Sequence, residues 1–130
     1  MKWSLQQLHK YNGKTFTFST TFKFEEEIKP IDDILSISIV YVEGQGRNLF
    51  DDDFHFDLHI KANLILEDAR TLEPIDFSID LEVEETFSAD PDNLNAQFIE
   101  KNTIDLRAVV WENILLEKPI RIVKEDTTDN

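Results

Sequence analysis

Two neighbouring segments of the chain alternate strictly between apolar and polar residues, and this pattern limits the possible folds more than any other feature. The segments are Phe54–Leu66 and Ile75–Val83. A period of two is typical of a β-strand with one buried face and one solvent-facing face. The six residues of Glu67–Leu72 suit a hairpin loop, so the two strands are predicted to pair antiparallel.

The solvent-facing side of this hairpin is predicted to be acidic. The second strand points four carboxylates outward, and the outward His55, His59 and Lys61 of the first strand partly relieve their mutual repulsion. This face is a candidate surface for a basic partner. Its carboxylates are those of Asp76, Asp80, Glu82 and Glu84.

The other segments complete a predicted α+β fold. A capping box opens a short helix over Ser4–Lys10, and a longer helix is predicted over Asp105–Glu117, where Pro119 ends it. Alternation or enrichment in Ile and Val predicts three further strands, which are Phe16–Phe24, Ile34–Val42 (stopped by Gly44-Gln45-Gly46) and Ile120–Val123. The expected architecture is a mostly antiparallel β-sheet, open or barrel-like, with these two helices.

The length of 130 residues suits one domain, residues 1–130, with a core that needs no metal or disulfide. The polar, turn-rich segment 88–97 is predicted to be a mobile loop, and residues 124–130 a polar tail. The N-terminal residues lack an apolar run of signal-peptide length, and no stretch reaches the roughly 18 to 20 apolar residues of a membrane span. A cytoplasmic location is therefore expected.

The charge of the chain is strongly acidic and unevenly distributed. Thirteen basic and 27 acidic residues give a formal net charge of −14, which disfavours general binding to nucleic acid or to anionic membranes. Residues 1–24 nevertheless hold four lysines and no acid, a net charge of +4. This asymmetry fits either scattered surface lysines or a bipartite surface. The candidate RNA-facing residues are Lys2, Lys10, Lys14 and Arg70.

His55, Asp57 and His59 are the strongest candidates for metal ligands in the chain. Alternate residues of a strand lie about 6.6 to 7 Å apart, whereas a zinc ion needs ligands about 2 Å away. Two neighbours could share an ion with an acid from the facing strand, but all three cannot. Histidines on an acidic strand face are more often plain polar residues, so neither a metal nor a cofactor is expected.

The sequence offers little support for catalysis. Because the chain has no cysteine, disulfides, thiolate catalysis and cysteine-based zinc sites are excluded. The acids that follow Asp90 do not match a calcium loop, since Asn95 and Lys101 stand where glycine and glutamate are needed. Gly44 and Gly46 lack the third glycine of a dinucleotide site. Without a nucleophile-elbow serine, the expectation is a protein that is not an enzyme and has no catalytic residues.

An ordered set of short motifs covers most of the chain and resembles the YceD family, the large-ribosomal-RNA-subunit accumulation proteins. Many members have Cys-x-Arg-Cys-Leu-Glu-Pro, then Glu-x-Phe, then Ile-Asp-Leu before a helix that ends in Leu-x-Leu-Pro. The start, Met1–Leu8, is similar to members from Gram-positive bacteria. The matching residues include Arg70, Leu72, Glu73, Pro74, Glu85, Phe87, Asp105, Leu106, Glu112 and Pro119.

The chain also departs from this family pattern. The two family cysteines fall at Asp68 and Thr71, so a metal or thiol role of that pair cannot apply here, and the cysteine-rich C-terminal extension of many members is missing. In the matching part, Pro74 is expected to fix the loop exit, Leu72 to pack beneath it, and Arg70 to hold a neighbouring carboxylate. A contact with a partner is the alternative role.

The resemblance implies a process rather than a reaction, because family members are linked to accumulation or processing of large-subunit ribosomal RNA. The leading hypothesis is a non-enzymatic factor in large-subunit biogenesis that supports the accumulation or processing of 23S rRNA. Its acidic face would bind a basic ribosomal protein or a pre-ribosomal particle. The alternative is a direct RNA-binding module that acts through the basic N-terminal segment.

Overall fold

A computed structural model describes residues 1–11, 13–50 and 53–119 of the chain, except for the side chain of Phe50. These residues form eight strands, two α-helices and one short 3-10 turn. In chain order they are β1 (Lys2–Ser4), α1 (Leu5–His9), β2 (Phe16–Phe22), β3 (Ile34–Ile37), β4 (Val40–Phe50), β5 (Asp53–Glu67), β6 (Pro74–Ser88), β7 (Gln97–Phe98), the 3-10 turn (Glu100–Asn102), β8 (Thr103–Asp105) and α2 (Leu106–Glu117).

Strand β5 is the centre of the main sheet. The strand order is β2-β4-β5-β6-β7. Strand β3 pairs with the same edge of β5 as β4 does, next to the start of β4. All of these pairs are antiparallel except the short pair of β6 and β7. The predicted α+β class is confirmed. Within the described residues the sheet stays open, with β2 and β7 at opposite ends of the order, so the barrel-like alternative is not observed.

The predicted hairpin is the longest feature of this sheet. Strands β5 and β6 are paired continuously from Asp53 opposite Ser88 to Glu67 opposite Pro74. The apolar residues of β5 are buried and its alternating polar residues are partly exposed, as the period of two predicts. Both strands contain 15 residues, and β6 therefore continues five residues beyond its predicted end at Val83.

The two helices and the small sheet of β1 and β8 cover the apolar side of the main sheet. In α2, the buried residues recur at helical spacing and Trp111 stacks on Phe24 with ring centroids 4.9 Å apart. In α1, Leu8 is buried; in β1, Trp3 packs edge-on against Phe18, with ring centroids 5.0 Å apart. The buried residues of α2 are Leu106, Val109, Val110 and Ile114. The opposite side of β4, β5 and β6 is left facing solvent.

Both predicted helix starts are confirmed. The Ser4 hydroxyl accepts a hydrogen bond from the Gln7 backbone N–H at 3.1 Å, and the Gln7 side chain accepts one from the Ser4 N–H at 2.9 Å. This reciprocal pair satisfies two backbone donors at the start of α1. The Asp105 carboxylate accepts the Arg107 N–H at 3.1 Å and caps α2 with this one hydrogen bond.

The prediction of one strand over Ile34–Val42 that ends at the glycines is wrong in two respects. The segment is interrupted between β3 and β4, where Asn63 of β5 donates its backbone N–H to the Ser38 hydroxyl at 2.9 Å. Strand β4 then runs through both glycines to Phe50. A Cβ at Gly44 would lie 2.6 Å from the Phe18 ring, and one at Gly46 would lie 2.6 Å from the Phe16 ring. The glycines therefore accommodate aromatic rings and do not form a turn.

The small sheet of β1 and β8 is not predicted by the sequence pattern. Trp3 lies opposite Ile104 in its register, and the Leu106 N–H donates to the Met1 carbonyl oxygen at 3.0 Å. This pairing joins the starts of α1 and α2. Strands of three residues are too short for an alternating pattern to be recognised.

The loop predicted over residues 88–97 is observed over 89–96, because Ser88 and Gln97 end the adjacent strands β6 and β7. Ser88 is fully buried and its hydroxyl donates to the Asp53 carboxylate. The same hydroxyl accepts the Asp90 N–H at 3.0 Å. The mobility of this loop remains a prediction. The predicted strand Ile120–Val123 and the polar tail 124–130 lie outside the described residues.

Candidate functional site

A shallow depression lies on the solvent-facing side of the main sheet, across β2, β4, β5 and β6. The register places Glu43 opposite His59 and His59 opposite Glu82. The next row places Gln45 opposite Asp57 and Asp57 opposite Glu84. We call this depression the acidic groove; the outward side chains that line it are Thr17, Glu43, Gln45, Asp57, His59, Glu82 and Glu84.

The four carboxylates predicted to form an acidic face do share the outward side of β6. Glu82 and Glu84 line the acidic groove, whereas Asp76 lies farther along the strand, beside Asn63, which donates to it at 3.4 Å. Asp80 lies between them and is bound by His59. The face is therefore a row along β6, and its Glu82–Glu84 end borders the acidic groove.

The acidity of Asp80 is changed by its neighbour His59. The His59 Nε2 lies 2.5 Å from the Asp80 Oδ1. This hydrogen bond lowers the pKa of Asp80 below its usual value, with smaller contributions from the charges of His59 and Lys61 and an opposing one from partial burial. The prediction that outward His and Lys side chains of β5 relieve repulsion along β6 is thereby confirmed at this position.

A second histidine binds two carboxylates at the far side of the groove. The His55 Nε2 lies 3.1 Å from the Asp57 Oδ1 and 3.3 Å from the Glu84 Oε1. Its Nδ1 lies 3.1 Å from the Thr86 hydroxyl. His59 faces Asp80 instead, so the three residues His55, Asp57 and His59 do not converge, as the strand spacing predicts.

Glu43 and Glu82 remain without an ion pair to any described residue, and both are exposed. They flank His59 from the two neighbouring strands, at a separation of about 10 Å for two strand spacings. The sequence pattern does not identify Glu43 as a site residue, because it predicts that the strand ends at Val42, whereas β4 continues to Phe50. The signal that could have found it is the continued alternation of outward residues through Tyr41, Glu43, Gln45 and Arg47.

The structure does not bring the four candidate RNA-facing residues together. Lys2 and Lys10 line one shallow concavity with Tyr11, and Lys14 follows in the loop, where its N–H donates to the Tyr11 carbonyl at 2.8 Å. Arg70 is exposed in the loop between β5 and β6. That loop follows the end of β5, whereas the N-terminal segment packs near the start of β5, about 40 Å away along the strand. Arg70 therefore belongs to a different surface.

Most of the family-motif positions have structural roles. Phe87 and Leu106 are buried, and Asp105 caps α2. Glu85 joins three elements, because its two carboxylate oxygens accept from Gln97 of β7 at 2.6 Å and from Asn113 of α2 at 2.9 Å. Pro74 begins β6 and Pro119 follows α2, as predicted. Glu112 is exposed on α2.

The expectations for Leu72 and Arg70 are not met. Leu72 does not pack beneath the loop: its backbone is left-handed, with φ of 64°, and it is 64% exposed. The Leu72 N–H donates to the Asp68 carbonyl oxygen at 3.0 Å. This hydrogen bond holds the turn in which the Leu72 side chain points outward. Arg70 makes no ion pair with a described residue. Both side chains are available to solvent, which leaves the partner-contact alternative open.

The two positions of the family cysteines contribute hydrogen bonds to the same loop. Asp68 is fully buried, and its Oδ1 accepts the backbone N–H groups of Arg70 at 2.7 Å and Thr71 at 3.0 Å. The Thr71 hydroxyl accepts the Glu73 N–H at 3.3 Å. These side chains form Asx- and ST-type turns, which hold the loop without a thiol.

No helix in the described part of the chain is long and apolar enough to cross a bilayer.

Comparison with known proteins gives two matches. The family described as "Large ribosomal RNA subunit accumulation protein YceD" matches residues 56–130. The chain is also 32% identical, over 129 residues, to the "Uncharacterized protein YlbN" of Bacillus subtilis (strain 168), an alignment that covers 96% of this chain and 74% of that protein. No solved structure matches the chain significantly.

Proposed function

Because the chain belongs to the YceD family, we propose that it is a non-enzymatic, cytoplasmic factor in large ribosomal subunit biogenesis. In this proposal it supports the accumulation or processing of 23S rRNA by binding a basic ribosomal protein or a pre-ribosomal particle. The description of the family supports the ribosomal process. The observation that supports this mode of action is the acidic groove.

The acidic groove suits a basic partner because its carboxylates differ in how far they are already neutralised. Asp80 is bound by His59, and Glu84 and Asp57 are bound by His55. Glu43 and Glu82 have no such partner among the described residues and face solvent from both sides of the groove. Their charges are free to pair with Lys or Arg side chains of another molecule.

Charge also favours rapid capture of such a partner. The whole chain carries a net charge of −14, and clefts lined by one sign of charge raise the association rate for oppositely charged molecules. Ribosomal proteins that await assembly are basic, since they bind phosphate. We therefore expect association to weaken steeply as salt screens the exposed charges.

Affinity purification from the cytoplasm of the protein's own cell would test this proposal. The tagged chain would be recovered at low and at moderate salt, and proteins and RNA in the eluate would be identified. We expect large-subunit ribosomal proteins or precursor rRNA at low salt and much less at moderate salt. The double variant Glu43→Lys/Glu82→Lys should lose them at both salt concentrations.

A matched control keeps the change in net charge and moves it away from the groove. Glu100→Lys/Glu117→Lys alters two exposed residues outside the groove and should recover the same partners as the wild type. The proposal would be contradicted if the groove variant, shown to be folded by circular dichroism, recovered these partners as well as the control variant does.

Direct RNA binding is the second candidate function, and one observation favours it. Tyr11 is 38% exposed and stacks on Phe16 with ring centroids 4.1 Å apart and a 17° interplanar angle. Its exposed part lies beside Lys2 and Lys10 in the same concavity. An aromatic ring flanked by lysines can stack a base while the lysines contact phosphates.

The two candidate functions differ in their response to single changes. Direct RNA binding predicts that Tyr11→Ala weakens the affinity for single-stranded rRNA fragments, measured by fluorescence anisotropy at physiological salt. The groove variant should leave that affinity unchanged. The absence of RNA binding by the wild type at this salt concentration would exclude the second function.

A further inference from the structure

Three metal-ligating side chains converge at the His55 side of the acidic groove. The Nε2 of His55 and one carboxylate oxygen each of Asp57 and Glu84 all lie within 4.8 Å of one another, and no other such group of three occurs among the described residues. Because β5 and β6 are paired antiparallel, Glu84 lies directly opposite Asp57. We propose that these three side chains bind one Zn²⁺ ion.

The distances between the ligand atoms fit a zinc ion. Bonds of about 2 Å in a tetrahedral arrangement hold neighbouring ligand atoms roughly 3.3 Å apart. The Nε2 of His55 lies 3.1 Å from the Asp57 oxygen and 3.3 Å from the Glu84 oxygen. The side chain of Glu84 is 76% exposed, so it is free to adjust the remaining oxygen–oxygen distance. Two adjacent strands thus supply three ligands close enough to share one ion, which a single strand cannot do.

The orientation of the His55 ring is fixed by a residue outside the three ligands. Thr86 lies directly opposite His55 on β6, and its hydroxyl lies 3.1 Å from the Nδ1. Metal-binding histidines commonly donate their second ring N–H to such an acceptor, which leaves the other nitrogen unprotonated for the metal. The ring is held firmly, since only 13% of the side chain is exposed.

Three ligand atoms from two strands concentrate negative charge at one point, and a divalent cation would neutralise it. Zinc binding uses the tautomer of His55 with its proton on Nδ1, because the lone pair of Nε2 then faces the two carboxylate oxygens. An imidazole with two carboxylates favours Zn²⁺ over Mg²⁺ or Ca²⁺, which prefer oxygen ligands alone.

His59 and Asp80 provide an internal comparison. They form a similar His–carboxylate pair at 2.5 Å on the same strands, but they belong to no group of three ligands among the described residues. A loose acidic surface would bind cations equally at both places. A built site would bind at His55 alone.

The zinc site shares Asp57 and Glu84 with the acidic groove, but it does not use the unpaired Glu43 and Glu82 that the ribosomal proposal tests. It is tested with the full chain and ZnCl₂ alone, by isothermal titration calorimetry in a non-chelating buffer. We expect one saturable site that persists in excess Mg²⁺. Histidine NMR signals should show zinc at the Nε2 of His55 and no zinc at His59.

Three variants separate a built site from general attraction of cations. Glu84→Gln removes a largely exposed ligand without a packing change and should weaken zinc binding at least tenfold, while Thr86→Val should weaken it about tenfold. His59→Gln should leave zinc binding unchanged. The proposal would be overturned if the wild type lacked a saturable site, if Mg²⁺ abolished binding, or if His59→Gln weakened it as much as Glu84→Gln.

Discussion

Single residues on the outward side of β6 have different electrostatic surroundings, although they belong to one row of acids. Asp80 is bound by His59, whereas Glu82, the next outward residue, has no ion pair with a described residue. The row was predictable because the period of two fixes which side chains point outward. Which acid binds which histidine was not predictable, since this depends on the register of β6 with β5. A shift of that register by one residue would move the facing side chains to opposite sides of the sheet.

The lowered pKa of Asp80 predicts how its contribution to stability depends on pH. A carboxyl whose pKa is lower in the folded state contributes stability above its unfolded pKa, and this contribution is lost as pH falls through the folded pKa. The difference in urea midpoint between wild type and Asp80→Asn should therefore shrink from about pH 5 to about pH 2. In the His59→Gln background that difference should change much less. A constant difference in both backgrounds would contradict this assignment.

The left-handed backbone of Leu72 predicts an unusual response to substitution. Glycine tolerates this conformation, whereas leucine and alanine are both strained in it by about 1 to 2 kcal/mol. Because glycine also increases the entropy of the unfolded chain, we expect Leu72→Gly to exceed Leu72→Ala in free energy of unfolding by about 1 kcal/mol. Urea denaturation of the two variants would measure it. Equal stabilities would show that Leu72 adopts an ordinary backbone in solution.

The elements of the fold differ in how much of them the sequence predicts. The hairpin of β5 and β6 has long alternating runs, and both helix starts have local capping signals, so these were predicted correctly. The pair of β1 and β8 has no local signal, and its formation depends on contacts between residues about 100 positions apart. Glu43 and Thr86 were missed as site residues because their strands extend beyond the predicted ends.

The glycines of β4 show how a local signal can mislead. Gly44 and Gly46 suggest a turn, yet both lie in a strand beneath aromatic rings of β2. Only side-chain atoms crowd a Cβ at Gly46, whereas at Gly44 the carbonyl oxygen of Asp57 also lies 2.9 Å away. A smaller side chain in place of the aromatic neighbour should therefore reduce the destabilisation by alanine at Gly46 more than at Gly44.

We expect Gly46→Ala to lower the free energy of unfolding by about 1 to 3 kcal/mol through overpacking. The double variant Gly46→Ala/Phe16→Leu should be less destabilised than the sum of its single variants, by more than about 0.5 kcal/mol. At Gly44, the corresponding coupling with Phe18→Leu should be smaller, because the backbone oxygen of Asp57 cannot move away. Additive effects at both positions, measured by urea denaturation, would contradict the close approach of β2 and β4.

At the scale of the whole molecule, the net charge of −14 has opposite effects on folding and on binding. Self-repulsion destabilises the compact state, so NaCl should raise the thermal midpoint between about 0.02 M and about 0.2 M, where the screening length falls from roughly 20 Å to about 7 Å. Over the same range, association with a basic partner should weaken. If NaCl raised or lowered both the thermal midpoint and the affinity for the partner, an electrostatic origin of the two effects would be contradicted.

The central claim is that the acidic groove serves large-subunit biogenesis. The most direct test measures mature large-subunit rRNA, relative to small-subunit rRNA, in cells that lack the chromosomal gene and carry one plasmid copy. Wild type and Glu100→Lys/Glu117→Lys should restore the ratio, whereas Glu43→Lys/Glu82→Lys, expressed at the same level, should not. A groove variant that restores the ratio fully would contradict the account.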